Sequence, residues 1–142
     1  MTDGPVLGLV TLVVKDMEAS VAFYRRLGVT VPDPDPAWAD VHRSASTGGM
    51  SLDLDSQSFA TKWNRGAKPG DTAIVGFNMP SREAVDTAYN ELVSDGHVGQ
   101  QEPYDAFWGA RYAVVEDPDG NPVGLMSPID PERRSAPPDP SS

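Results

Sequence analysis

Shifting the chain by 65 residues onto itself lays Glu18-Ala19 over Glu83-Ala84, Tyr24 over Tyr89 and Leu27 over Leu92. The identity is weak, but the order of turn, helix and strand signals repeats with it. Two copies within 142 residues are each too small to bury an independent core, so the halves must share one. That requirement excludes most architectures before composition is considered.

The first half opens with an apolar, β-branched strand over 7–15 that needs cover on both faces. A helix follows, with Asp16 as N-cap, Glu18 in the first turn, a stripe of Met17, Val21, Tyr24 and Leu27, and Gly28 as the stop. Extended segments are expected at 29–31, 38–43 and 50–55, separated by Pro32, Pro34 and Pro36 and then by Gly48-Gly49. The second half repeats this order: a strand at 72–79, a helix capped by Ser81 and ended at Gly96, then strands at 97–102, 107–116 and 122–126. Each half therefore reads β-α-β-β-β. The expected organisation is one domain over 1–130, with module one at 7–55, a linker with one helical turn at 56–71 and module two at 72–127. The proline-rich stretch 131–142 reads as a frayed, disordered tail, left out of any site.

Composition narrows function by exclusion. Eleven Lys and Arg against 21 Asp and Glu give a net charge of −10, a field that repels nucleic acid and anionic membrane surfaces. Without cysteine there are no thiolate nucleophiles, disulfides or zinc fingers. The longest apolar run, 6–14, is less than half the ~20 residues that a membrane helix needs. Asp3 before that run and Lys15-Asp16 after it do not suit a signal peptide, so the expected location is cytoplasmic.

Tandem β-α-β-β-β units, the Lys15-Asp16-Met17-Glu18-Ala19-Ser20 helix start with Phe23-Tyr24 and Leu27-Gly28, and Trp108-Gly109 leading into Asp117-Pro118-Asp119-Gly120-Asn121 together resemble the vicinal oxygen chelate superfamily. That superfamily contains glyoxalase I, extradiol dioxygenases, fosfomycin resistance enzymes and bleomycin resistance proteins. The resemblance spans about 7–126. It implies an α+β fold in which the modules form a curved, incompletely closed eight-stranded barrel, helices outside, around a ligand cleft. It also implies a homodimer. The Asp-Pro-Asp-Gly-Asn segment itself reads as a turn rather than a calcium loop, because the glycine and distal glutamate of EF-hand spacing are missing.

In metal-dependent members, His, Glu or Gln on the first and last strands of each half hold the ion. The matching positions here are Leu9, Ile74 and Gly124, none with a ligating side chain, and Asp53 is the one carboxylate near such a position. No metal, cofactor or catalytic residue is therefore assigned. Of the two histidines, His97 reads as a surface or capping residue at a helix exit. His42 is the more open case: inert, or a polar group facing the cleft.

Aromatic residues remain. Trp38, Phe59, Trp63, Tyr104, Phe107, Trp108 and Tyr112 fall where the resembling fold borders its cleft, whereas Phe23 and Phe77 read as core. The candidate ligand-binding set is these aromatics without Tyr104, joined by His42, Asp53 and Arg111, the last able to pair with Asp53 or to grip ligand. This points to a metal-independent protein that binds a planar or aromatic, antibiotic-like molecule by stacking, in the manner of the bleomycin resistance branch. The alternative is a metal-dependent lyase, isomerase or dioxygenase of the same superfamily; a module whose cleft is plugged by its own aromatics is a third.

Overall fold

The computed structural model describes residues 4–68 and 73–138. Its elements run β1 (Val6–Val14), α1 (Met17–Leu27), β2 (His42–Ser46), β3 (Ser51–Ser56), α2 (Gln57–Trp63), β4 (Ala73–Asn78), α3 (Arg82–Ser94), β5 (Gly99–Asp105), β6 (Arg111–Glu116) and β7 (Pro122–Met126). The fold is α+β. One open sheet has the order β2-β3-β1-β4-β7-β6-β5. β1 and β4, the first strands of the two halves, lie side by side and antiparallel at its centre, and each is flanked by the last strand of its own half in parallel. The internal repeat is thus visible as a two-fold arrangement about the β1–β4 seam.

Local chemistry explains the helices. The Asp16 carboxylate accepts the Ala19 N–H at 3.0 Å, and Gly28 closes α1 at φ 110°, a conformation that costs glycine little. Ser81 Oγ accepts the Ala84 N–H at 3.1 Å at the start of α3. Met17 and Val21 of α1 pack with Val31, Ala45 and Leu54, while Val85 of α3 packs with Ala113, Val115 and Leu125. The expected stripe is only partly buried: Leu27 is 70% exposed, and Phe23, expected in the core, is 64% exposed.

Among the described residues the sheet has seven strands where eight are expected. Residues 29–31 form no ladder. Pro32, Pro34 and Pro36 remove alternate N–H donors from the segment that follows, and the Arg25 guanidinium takes the Val31 carbonyl instead. Trp38, expected on a strand, sits in a 3₁₀ turn over Pro36–Trp38 capped by Asp35, so β2 begins at His42. Likewise 107–110 is not strand. Ala106 N–H bonds the Ala110 carbonyl at 2.8 Å, Gly109 turns at φ 99°, and β6 starts at Arg111.

The expected linker carries α2, capped by Ser56, with Phe59, Ala60 and Trp63 buried. Pro69-Gly70 and Thr72 lie outside the described residues. The Asp117 carboxylate accepts the Asp119 and Asn121 N–H groups, as a turn requires. Where a frayed tail is expected, Pro131–Arg133 form a 3₁₀ turn, and Ser135 N–H bonds the Phe107 carbonyl at 3.0 Å. Among the described residues no helix is long and apolar enough to cross a membrane.

Candidate functional site

Strand pleating decides which side chains face inward. On β3, Ser51, Asp53 and Asp55 share one face. Asp53 stands opposite Ser44 of β2 and Thr11 of β1, and Thr11 in turn stands opposite Ile74 of β4. This face lines a cleft of about 850 Å³, a volume suited to a small molecule. Eight of the nine candidate residues border it: Trp38, His42, Asp53, Phe59, Trp63, Phe107, Trp108 and Tyr112.

Arg111 is the exception. Its Nε donates to Asp86 of α3 at 2.8 Å and its Nη1 to Asp105 at 3.3 Å, and it neither meets Asp53 nor lines the cleft. The hydrogen bond to Asp86 holds its guanidinium above the usual range. Its side chain leaves the sheet on the helix side, opposite to its neighbour Tyr112.

The aromatic side chains form a continuous chain of ring contacts. His42 meets Phe59 (5.6 Å between ring centres), Phe59 meets Trp38 (5.4 Å), and Trp38 lies over Phe107 (6.5 Å, 21° between planes). Phe107 then meets Trp108 (5.2 Å), Trp108 meets Tyr112 (5.3 Å), and Tyr112 meets Trp63 (5.9 Å). The circuit closes through a carboxylate. Trp63 Nε1 donates to Asp55 Oδ2 at 2.9 Å, and Asp55 Oδ1 faces His42 Nδ1 at 2.5 Å.

Asp55 is 3% exposed, and burial pushes its carboxyl pKa up against the pull of His42. For His42, burial alone lowers the pKa, but the hydrogen bond and charge of Asp55, with the charge of Asp53, outweigh it and hold the imidazole above its ordinary value. An ionised carboxylate only accepts, so the shared proton belongs to Nδ1 and the lone pair of the neutral ring sits on Nε2. Asp53 Oδ1 accepts hydrogen bonds from the hydroxyls of Ser44 (2.7 Å) and Ser51 (2.9 Å). Burial raises the phenol pKa of Tyr112 and Tyr104.

Sequence reasoning missed several lining groups. Asp55 is one of them, although two-residue alternation on β3 puts it on the face of Asp53. Gly8, Thr11 and Asn78 had no signal of their own. The 32–35 loop and Ile129, Arg134, Ser135 and Pro137 also line the cleft, which corrects the exclusion of the tail.

The sequence profile of the glyoxalase/bleomycin resistance protein/dioxygenase superfamily matches residues 6–125, and the chain belongs to that superfamily. No curated protein matches the chain. Solved structures with the same fold include a superfamily member from Vibrio splendidus, with TM-score 0.60 and 16% identity over 87% of this chain and 99% of that one. A hypothetical protein from Bacillus halodurans gives TM-score 0.63 and 15% identity over 89% and 96% of the two chains. The Mn(II)-bound glyoxalase of Novosphingobium aromaticivorans gives 0.58 and 17% over 88% of this chain and 38% of that one. At such identities the likeness shows the fold alone.

The donor set does not fit a divalent ion. Leu9 and Ile74 are hydrocarbon, and Ile74 is packed into the core with Phe59, Trp63 and Tyr112. A Cβ at Gly124 would lie 2.8 Å from Tyr112 Oη, so the tyrosine fills the space that a ligating side chain there would need. Among the described residues no group of three or more His, Cys, Asp or Glu is arranged to hold a metal.

Proposed function

We propose that this protein binds a planar small molecule in the cleft by ring-on-ring contact, without a metal, in the manner of a drug-sequestering protein. The observation that carries the reading is the circuit of aromatic contacts around an open space of about 850 Å³. Flat walls exclude water and offer π-faces, each aromatic contact adding about 1 kcal/mol beyond area burial. The open volume argues against a cleft plugged by its own side chains. A homodimer and a cytoplasmic location belong to the same reading. Exposed Phe23 and Leu27, one turn apart on α1, supply apolar surface of the kind an interface covers.

The test is a tryptophan-fluorescence titration against a panel of planar antibiotics, with metal analysis of the purified protein. Saturable quenching that is lost in Trp38→Ala or Trp108→Ala supports the proposal. A tightly held stoichiometric divalent ion, with no planar binder, replaces it with a metal-dependent lyase, isomerase or dioxygenase. Sedimentation as a monomer at micromolar concentration removes the dimer.

A further inference from the structure

We propose that the cleft recognises its planar guest by an amidinium-type edge, whose paired N–H groups bond Asp53 Oδ2 and the Thr11 hydroxyl on the cleft floor. The inference rests on the planar-ligand reading and names the polar group that the ring carries.

Three features carry it. First, Thr11 is the one polar side chain of β1, and it faces the cleft near the centre of the sheet. The residue is 5% exposed, yet among the described residues its hydroxyl makes no hydrogen bond. The side-chain atoms that are sealed off without a partner belong to Arg43 and Asn64, so the Thr11 oxygen opens on the cleft. An enclosed hydroxyl without a protein partner costs stability unless something in the cleft bonds it.

Second, Asp53 is the register partner of Thr11 on the parallel neighbour β3, one strand spacing away, about 4.8 Å. Asp55 uses both of its oxygens, on His42 Nδ1 and on Trp63 Nε1, whereas Asp53 uses only Oδ1. Among the described residues Asp53 Oδ2 makes no hydrogen bond. Third, the hydroxyls beside it are already committed as donors. Ser44 and Ser51 both donate to Asp53 Oδ1, which fixes the carboxylate and leaves this part of the floor rich in acceptors.

A group that answers such a floor must bring donors, and bring them in pairs. An amidinium is flat, so it extends an attached ring between the aromatic walls, and it gives one N–H to the carboxylate and one to the hydroxyl. A carbonyl or carboxylate in the same place would face Asp53 acceptor to acceptor. A cation without N–H gains only the attraction of Asp53, so charge alone does not describe the site.

The experiment is isothermal titration calorimetry with 2-naphthamidine, N-methylquinolinium and quinoline. All share a fused bicyclic ring; the first brings charge and N–H groups, the second charge alone, the third neither. Wild-type protein is expected to bind 2-naphthamidine about tenfold more tightly than N-methylquinolinium. Thr11→Val should cut that preference to about threefold without weakening N-methylquinolinium, and Thr11→Ser should keep it. Asp53→Asn, which puts a donor where the free acceptor was, should abolish it. Far-UV circular dichroism identifies the folded variants, and Asp53→Asn decides if Thr11→Val does not fold. N-methylquinolinium binding as tightly as 2-naphthamidine overturns this proposal and retains the planar-ligand reading. A preference that survives in folded Asp53→Asn does the same. Binding of none of the three removes both readings for this ligand class.

Discussion

Trp38 and Phe107 lie 6.5 Å apart and within 21° of parallel, although one belongs to the 3₁₀ turn of the first module and the other to the turn before β6 in the second. Each turn is set by local chemistry, the Asp35 cap on one side and the Gly109 turn on the other. The two halves therefore meet in a pair of stacked rings in the wall of the cleft.

Removing one face should weaken planar ligands without unfolding the chain. Trp38→Ala and Phe107→Ala are each expected to reduce affinity by about tenfold, the equivalent of ~1.4 kcal/mol. Isothermal titration calorimetry against the best binder checks this. Unchanged affinity in both variants counts against stacking.

Filling the position under Tyr112 should not create a metal site. Gly124→Ala puts a Cβ at 2.8 Å from Tyr112 Oη and is expected to cost about 1–3 kcal/mol of stability as overpacking. Gly124→Glu should be destabilised further and still bind Mn(II) no better than wild type. Thermal melts and metal titrations read the two outcomes.

Stability should fall as pH rises above 6.5. His42 has a folded pKa above its unfolded value, so the folded state holds the proton more tightly and loses that advantage as pH climbs through the folded value. The raised carboxyl of Asp55 acts in the same direction at acidic pH. Melting temperatures from pH 6 to 9 should decline in wild type and decline less in His42→Gln. A flat wild-type profile would remove the imidazole–carboxylate coupling.

Shortening the chain to end at Pro128 should leave the sheet folded but open the cleft. It deletes the Ser135 N–H bond to Phe107 and the lining residues Ile129, Arg134 and Pro137. A loss of about 1 kcal/mol in ligand affinity is expected, with little change in far-UV circular dichroism.

The sequence exposes those parts of the fold that are fixed locally or periodically. Asp16, Gly28 and Ser81 mark helix ends because caps act over a few residues. Inward alternation on β3 marks the acidic wall. The eighth strand was overcounted at 29–31 because its apolar pattern is real, yet ladder formation depends on donors that the next prolines lack and on Arg25, whose reach is tertiary. Arg111 was misplaced because it directly precedes Tyr112 on β6, and strand alternation sends neighbours to opposite faces, leaving Arg111 with Asp86 and Asp105. The tail was dismissed for its prolines, whereas its docking rests on the Asp130 N–H bond to the Gly109 carbonyl and the Ser135 N–H bond to the Phe107 carbonyl, which composition does not encode.

The proline-punctuated segment after Val31 leaves module one a strand short of module two, so the sheet's pseudo-symmetry ends at its rim. One margin of the hollow is the 32–35 loop bearing Asp33 and Asp35, and the other is the Phe107-Trp108 turn with Ile129, Arg134 and Pro137. A guest entering such a lopsided mouth meets unlike surroundings at its two ends. The shape therefore favours a molecule that is itself unsymmetrical, with its more basic end toward the loop.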